Sequence, residues 1–291
     1  MTLHGVLPVV PTPFDDRGEV DESLVKKWTN RLVESGAGGI VGLGATSEAL
    51  SLSREEWSRI GKLVVEEVGG RVPVVLGALA YATRDVVSLA KEAEDLGAAA
   101  VLVTHPYFGG VRKNEVQNHY GVVADALTIP VVLYNNPGAT GTDLSAKEIV
   151  SLANAHNVRY VKESSGDPTR VNELLRLGAE KITVLAGIDR YAMDSIIQGA
   201  QGWISGNANL MPEDCVKLFK ALTVDGDLET ALGIWKRIQP VASTVGKSEA
   251  WIQLLKEGIR HQGLDCGTFR LPLLDPDQAE LEEVKRHLDR L

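Results

Sequence analysis

Short runs of apolar residues recur along the chain roughly every 20 to 35 residues, and stretches of helical periodicity lie between them. The apolar runs are continuous rather than alternating, which is typical of parallel strands covered on both faces. The pattern therefore predicts a parallel sheet. We expect eight strands, at 6–10, 40–43, 74–76, 100–103, 131–134, 158–161, 182–186 and 203–204.

Several of the helical stretches begin at recognisable capping sequences. Ser53 and Ser145 each precede a glutamate three residues later, which is the spacing of a capping box. Eight strands that alternate with eight helices favour a closed (β/α)₈ TIM barrel, and an open doubly wound sheet is the alternative that periodicity leaves open. We expect helices at 21–35, 53–68, 84–96, 113–127, 145–155, 168–177, 189–198 and 212–222.

The strand pattern stops near residue 225, and helical patterns continue at 228–241, 249–261 and 277–291. No Ser/Gly-rich linker separates the two parts of the chain. We therefore expect a barrel over residues 1–224 and a C-terminal helical extension over 225–291 that packs on the barrel.

Composition and charge narrow the classes of partner. The chain has 291 residues, 44% of them hydrophobic, and a net charge of −9 without any Lys/Arg-rich block. This disfavours nucleic acid and anionic membranes as partners. With neither a secretory pattern at the start nor an apolar run near 18 residues, we expect a cytoplasmic protein. Cys215 and Cys266 are far apart and predict neither a disulfide nor a thiolate zinc site.

Lys162 is the only lysine that directly follows a predicted strand, and active sites of such barrels lie at the carboxyl ends of the strands. Alternation places Tyr160 and Lys162 on one face of the strand and Glu163 on the other. A partly apolar barrel mouth disfavours the ammonium form, and the free amine can form a Schiff base with a carbonyl compound. A structural lysine paired with a carboxylate is the alternative.

The second strand ends in the sequence Gly-Leu-Gly-Ala-Thr-Ser-Glu, residues 42–48. Small residues there allow backbone N–H groups and the hydroxyls of Thr46 and Ser47 to converge on a carboxylate or phosphate. Ser47 stands at the third glycine of a dinucleotide fingerprint, and the P-loop lysine is absent, so the motif does not fit either nucleotide site. A turn needed only for tight packing is the alternative.

Aromatic residues follow two other strands. Tyr134 ends the fifth strand, where its phenol could carry protons or simply pack with its hydroxyl on the backbone. Tyr107 and Phe108 follow the fourth strand as candidate pocket walls. The six histidines show no metal-ligand spacing, so we expect no metal centre.

Taken together, the 44–48 turn, the Tyr-Asn-x-Pro segment at 134–137 and the pair Lys162-Glu163 resemble the dihydrodipicolinate synthase / N-acetylneuraminate lyase family. The likeness covers nearly the whole chain. Further matches lie at 8–14, 106–107, 187, 202–205 and 270–273. Three separated motifs in the family's order and spacing make the resemblance specific.

The resemblance implies that Lys162 forms a Schiff base with pyruvate or another 2-oxo acid and that Tyr134 transfers protons. It also implies a homotetramer built as a dimer of dimers, without a metal or organic cofactor. The substrate would contact Gly44, Ala45, Thr46, Ser47, Gly187 and the Ile204 carbonyl. The expected pocket walls are Tyr107, Phe108, Asn136, Ala139 and Ser165.

The chain departs from the family's synthases at several positions. Those enzymes have two consecutive threonines where this chain has Ala45 and Thr46, and Ser47 replaces a glycine. Phe108 stands where they lend a tyrosine across a subunit interface, and Ala139 where an arginine binds the carboxylate of aspartate semialdehyde. The residues that build the imine remain, while those that recognise the second substrate of the synthases do not.

We therefore expect a Schiff-base lyase that acts on a small 2-oxo acid by aldol cleavage, dehydration or deamination. One alternative is 4-hydroxy-tetrahydrodipicolinate synthase of lysine biosynthesis. Another, from a different class, is a regulator that binds a 2-oxo acid without turnover.

Overall fold

The computed structural model describes residues 2–108, 110–167, 169–178 and 180–291. Eight strands lie where the apolar runs predict them. They are β1 (Gly5–Pro8), β2 (Ile40–Gly42), β3 (Val74–Ala78), β4 (Ala100–Thr104), β5 (Val131–Asn135), β6 (Val158–Glu163), β7 (Thr183–Ala186) and β8 (Gly202–Ser205).

The strands form one parallel sheet in the order β1-β8-β7-β6-β5-β4-β3-β2. Its two ends meet where Val9 bridges Val41 and the N–H of Val10 donates to the Val41 carbonyl at 2.8 Å. The sheet is thus a nearly closed (β/α)₈ barrel. The barrel prediction is confirmed, and the open-sheet alternative is wrong.

Helices follow the strands in alternation and then continue alone. They are α1 (Glu22–Glu34), α2 (Arg54–Val68), α3 (Thr83–Asp95), α4 (Lys113–Asp125), α5 (Pro137–Thr140), α6 (Ala146–Ala155), α7 (Arg170–Gly178), α8 (Ala192–Ile197), α9 (Pro212–Lys220), α10 (Leu228–Lys247), α11 (Trp251–His261) and α12 (Gln278–Leu288).

Most predicted helix ends differ from the structure by at most three residues, but α10, predicted over 228–241, runs over Leu228–Lys247. The helix expected at 189–198 is a 3₁₀ turn over Asp189–Tyr191 followed by the short α8, and α5 was not predicted. The predicted start of α7 at residue 168 lies outside the described residues. Both expected capping boxes are present, because Ser53 and Glu56, and Ser145 and Glu148, cap their helices reciprocally.

The barrel interior is packed with side chains from the strands, so its open space lies beyond the strand ends. Tyr134 packs at the edge of this inner cluster. The cluster comprises Leu3, Leu7, Val9, Val41, Val75, Ala100, Leu102, Val132, Tyr160, Leu185 and Ile204.

The C-terminal helices pack against the barrel and against one another. Helix α10 contacts α9 and the turn after β7, and α12 contacts both α10 and α11. The indole N–H of Trp28 donates to the Asp265 carbonyl at 2.7 Å, which ties α1 to the chain after α11. In the described part of the chain, no helix is long and apolar enough to span a bilayer.

Candidate active site

A cavity of about 570 Å³ opens at the carboxyl ends of the barrel strands. The ends of five strands, β2, β5, β6, β7 and β8, with the loops that follow them, and the C-terminal helices contribute to it. Among the residues on its wall are Ala45, Thr46, Tyr134, Asn136, Ala139, Lys162, Ser164, Ser165, Gly187, Arg190, Ile204, Gly246 and Trp251.

Lys162 and Tyr134 are neighbours at the inner end of this cavity. They pair in register on β6 and β5, and the Lys162 Nζ lies 4.1 Å from the centroid of the Tyr134 ring. Lys162 is only 7% exposed. Among the described residues, no carboxylate lies within 4.0 Å of its Nζ, so the alternative of a lysine held in a close ion pair does not describe this structure.

Gly187 makes the space that the Lys162 side chain occupies. A Cβ atom at this position would lie 2.0 Å from the Ser164 Oγ and 2.9 Å from the Lys162 Cγ. The Gly187 N–H donates to the Glu163 carbonyl at 2.9 Å, which fixes the end of β7 against β6. A side chain at this position would therefore force Ser164, the Glu163 carbonyl or Lys162 to shift.

Glu163 points away from the cavity, as the strand alternation predicts. Its carboxylate accepts hydrogen bonds from the Ser165 N–H at 2.5 Å and from the Asn135 Nδ2 at 3.2 Å. Burial raises the pKa of Glu163, and these two hydrogen bonds oppose that rise. Asn135 also donates to Asp143, which pairs with Arg170. This network holds the ends of β5 and β6 side by side.

The 44–48 turn presents only part of its predicted set to the cavity. Ala45 and Thr46 lie on the cavity wall. The Ser47 hydroxyl instead donates to the Val10 carbonyl at 2.5 Å and accepts from the Gly44 N–H at 3.1 Å. Gly44 and Ser47 therefore lie behind the wall, where they shape the turn.

A buried ion pair between Glu48 and Lys256 stabilises this turn. Glu48, with a left-handed φ of 52°, accepts from the Lys256 Nζ at 2.5 Å and from the Arg270 N–H at 3.0 Å. The same Nζ donates to the carbonyls of Thr12 and Thr268 at 2.7 and 2.6 Å. Burial lowers the pKa of Lys256, and the charge of Glu48 opposes that shift. Helix α11 is thereby joined to the turn.

The phenol of Tyr134 has a side-chain partner rather than the backbone partner that the packing alternative requires. Its Oη accepts from the Asn136 Nδ2 at 3.1 Å. Behind it, the buried Tyr120 hydroxyl donates to the Tyr134 carbonyl at 3.2 Å. Tyr107 and Phe108 lie off the wall of this cavity, and Phe108 is 79% exposed.

Ser164 and Arg190 are among the cavity residues that escaped the sequence analysis. The Ser164 hydroxyl is buried and has no hydrogen-bond partner among the described residues. Strand alternation from Lys162 places Ser164 on the same face, and that signal could have found it. Arg190 was missed because its segment was assigned to a helix. Across the described residues, no group of three or more His, Cys, Asp or Glu side chains could hold a metal ion.

The comparison with protein families decides the affiliation. The model of the dihydrodipicolinate synthetase family matches residues 2–291. The chain belongs to this family. The resemblance stated from the sequence is confirmed, and the chain is a class I, Schiff-base lyase or aldolase of this family. The hypothesis of a regulator without turnover is therefore not carried further.

The relatives in the family span the whole chain. The chain is 35% identical over 290 residues to the 4-hydroxy-tetrahydrodipicolinate synthase of Methanocaldococcus jannaschii, covering 98% of this chain and 99% of that one. It is 33% identical over 282 residues to the enzyme of the same name from Thermodesulfovibrio yellowstonii, covering 97% and 96%.

Solved structures of the family share the whole fold. Dihydrodipicolinate synthase from Acinetobacter baumannii, complexed with pyruvate, superposes with a TM-score of 0.93 at 30% identity and 99% coverage of both chains. The prophage protein YagE from E. coli K12, also in complex with pyruvate, gives a TM-score of 0.93 at 27% identity and covers 100% of both chains.

Proposed function

We propose that Lys162 forms an imine with the carbonyl of a 2-oxo acid and that Tyr134 transfers the protons of the reaction. The observation that carries this proposal is the position of Lys162, buried at the inner end of the cavity without a close carboxylate and directly beside the Tyr134 ring. The binding of pyruvate by two structural neighbours supports it.

The chemistry begins with attack of the Lys162 amine on C2 of the substrate. Loss of one water leaves an iminium ion, which withdraws electrons from C3. In elimination, Tyr134 takes a C3 proton to give an enamine, which expels hydroxide or an amine from C4 as Tyr134 returns the proton to the leaving group. In aldol cleavage, Tyr134 takes the proton of the C4 hydroxyl as the C3–C4 bond breaks and an aldehyde leaves, and it then protonates the remaining enamine at C3. Hydrolysis of the imine returns the free lysine. The same electron sink serves both outcomes.

The substrate carboxylate lies, in this proposal, against the Ala45 and Thr46 part of the turn. Hydrogen bonds from Ser47 and Glu48 to the carbonyls of Gly44 and Ala45 order this turn. A hydroxyl and backbone N–H groups in such a turn form an anion site that needs no reorganisation when substrate enters. Gly187 and Ile204 complete the wall around C2 and C3.

The second candidate function is 4-hydroxy-tetrahydrodipicolinate synthase, and the names of the relatives favour it. Ala139 opposes it, because this small side chain lies on the cavity wall where the resemblance expects the arginine that binds the second substrate. A lost charged hydrogen bond costs roughly 2 to 4 kcal/mol, or about 30- to 1000-fold. We therefore favour a lyase acting on a single 2-oxo acid.

A coupled assay of pyruvate with aspartate semialdehyde separates the two candidates. We expect negligible condensation. A kcat/KM of about 10⁴ M⁻¹s⁻¹ or more would establish the synthase instead. A parallel panel of 2-oxo sugar acids and cyclic imino acids, followed by pyruvate, ammonia and 2-oxoglutarate semialdehyde, should identify the bond that is broken.

A homotetramer is part of the same proposal. Tyr81, Tyr107 and Phe108 form an exposed aromatic patch, with the Tyr81 and Tyr107 rings 6.1 Å apart. Clustered exposed aromatic rings are typical of protein interfaces. Sedimentation equilibrium of the wild-type protein should give four chains, and Phe108→Ser should shift the mass toward smaller species. The cytoplasmic location and the domain boundary at residue 224 stay predictions.

A further inference from the structure

The outer end of the cavity carries a positive charge that the proposed reaction does not use. Arg190 and Lys162 are the two cationic side chains on the cavity wall, and the described wall residues include no carboxylate. The carboxylate next in sequence, Asp189, accepts from the Trp203 indole at 2.8 Å and from the Asn207 N–H at 3.1 Å. The wall therefore favours an anion at its outer end as well as at its inner end.

Arg190 is held in place by contacts with Gly246 and Tyr191. Its Nη1 donates to the Gly246 carbonyl at 2.7 Å, and its guanidinium carbon lies 4.8 Å from the centroid of the Tyr191 ring. No carboxylate of the described chain lies within ion-pair distance of it. A guanidinium has five N–H donors in a planar fork that matches a carboxylate. The contacts with Gly246 and Tyr191 position this fork at the rim.

The size of the cavity leaves room for a longer chain than pyruvate. Its volume is about 570 Å³. On its wall, Gly246 is exposed and Arg190 and Trp251 are half-buried, so these residues lie nearer to solvent than the buried Lys162. Strands β5 and β7 flank β6, which carries Lys162. The uncharged Ala139 follows β5 and the cationic Arg190 follows β7. A negatively charged group of a substrate beyond the reaction centre would therefore have a cationic partner after β7, at Arg190, and none at Ala139 after β5.

We propose that Arg190 binds a second carboxylate at the far end of the substrate, so that the preferred substrates are 2-oxo dicarboxylic acids. This inference rests on the proposed imine at Lys162, which fixes the other end of the chain. A fork-shaped cation discriminates strongly between a chain that ends in a carboxylate and one that ends in a methyl group.

The test compares acids of equal chain length with and without the second charge. The pairs are 2-oxoglutarate with 2-oxopentanoate and 2-oxoadipate with 2-oxohexanoate. The concentration that half-saturates borohydride trapping at Lys162 is measured for each acid by mass spectrometry. We expect the dicarboxylate to be preferred by roughly 10- to 100-fold at the chain length that reaches Arg190.

Two variants at Arg190 and one control variant assign that preference to the proposed residue. Arg190→Gln removes the positive charge and the guanidinium fork, so the preference should fall to near unity with pyruvate trapping unchanged. Lys247→Gln removes a cation at the end of the same helix as Gly246 but outside this cavity, and it should keep the preference. Arg190→Lys serves as a second variant if Arg190→Gln unfolds, and it should keep a reduced preference.

The outcomes separate this inference from the proposal beneath it. Wild-type protein that traps pyruvate at Lys162 but shows no preference at either chain length would overturn the role of Arg190 alone. The same holds if Arg190→Gln keeps the preference or if Lys247→Gln loses it equally. Failure of the wild-type protein to trap any 2-oxo acid at Lys162 would overturn the proposed function and this inference with it.

Discussion

The inner and outer ends of the cavity differ in how closely they follow the family and in how tightly they are packed. At the inner end, Lys162, Tyr134 and Gly187 lie together on the cavity wall, and a Cβ at Gly187 would lie only 2.0 Å from the Ser164 Oγ. At the outer end, Ala139 departs from the synthases, and a Cβ at Gly246 would meet only the Arg190 Nη1, at 3.8 Å. The packing therefore leaves less freedom around the reacting lysine than around the part of the cavity that would select the substrate.

The largest expected effect is the loss of proton transfer at the inner end of the cavity. Tyr134→Phe should lower kcat by roughly 10²- to 10⁴-fold, the usual contribution of one acid–base group, because Ala45 and Phe108 remove the hydroxyl neighbours that the family's synthases have. Trapping of pyruvate at Lys162 should persist in this variant. The measurement is steady-state kcat with the true substrate beside mass spectrometry of the trapped protein. Turnover within about threefold of wild type would show that another group moves the proton.

The buried pair beneath the turn tests whether the inner end depends on the C-terminal helices. Lys256→Met leaves Glu48 buried without its partner, which should lower the free energy of unfolding by about 3 to 5 kcal/mol. The double variant Glu48→Gln/Lys256→Met should recover much of that loss. Urea unfolding of wild type, Glu48→Gln, Lys256→Met and the double variant gives the coupling energy between the two residues. Additive losses would mean that the pair does not act as a unit.

The pH dependence of the free energy of unfolding tests the burial of His119, next to Tyr120, whose hydroxyl contacts the Tyr134 carbonyl. His119 is buried beside Tyr120, with ring centroids 5.7 Å apart, and burial lowers its pKa from 6.5 to about 4. Below pH 6.5, His119 therefore binds a proton in the unfolded chain, whereas in the folded chain it binds one only below about pH 4. Because the unfolded state gains that proton, stability falls as the pH drops through this window, by about 3 kcal/mol at most.

The variant His119→Asn removes this titration and can keep a polar contact with Thr83, which lies 2.9 Å from the His119 Nδ1. Its unfolding free energy should fall less steeply than that of wild type between pH 6.5 and 4. His287→Gln on α12 is the control and should follow the wild-type curve. Parallel curves for wild type and His119→Asn would contradict the assigned burial cost.

The smallest expected effect is on pyruvate trapping, in a matched pair of glycine substitutions at the two ends of the cavity. Gly187→Ala inserts a methyl group where no space exists and should weaken pyruvate trapping by roughly 10- to 100-fold through the 1 to 3 kcal/mol cost of overpacking. Gly246→Ala meets only the Arg190 side chain and should leave pyruvate trapping within about threefold. Half-saturating pyruvate concentrations measure both. Equal effects would erase the distinction between the two ends.

The sequence predicted what depends on local pattern. Continuous apolar runs located all eight strands, and the serine–glutamate spacing located the starts of α2 and α6. Strand alternation also placed Lys162 and Glu163 on opposite faces, as the structure has them. These features depend only on residues within a few positions of one another.

Features that depend on distant contacts escaped prediction. Glu48 and Lys256 are 208 residues apart, and a lysine on a helix is ordinarily solvated, so nothing local marked the pair. Arg190 was assigned to a helix because a 3₁₀ turn and a short helix together imitate helical periodicity. Ser47 was assigned to the substrate site because the pattern cannot show that its hydroxyl faces the Val10 carbonyl.

The identity of the lysine that forms the imine is the central claim, and covalent trapping tests it most directly. Wild-type protein is incubated with pyruvate and borohydride, digested and mapped by mass spectrometry. The added mass should lie on the peptide that contains Lys162, with none on the other buried lysine, Lys256, and Lys162→Ala should trap nothing. A label on any other lysine, or undiminished trapping by Lys162→Ala, would contradict the account.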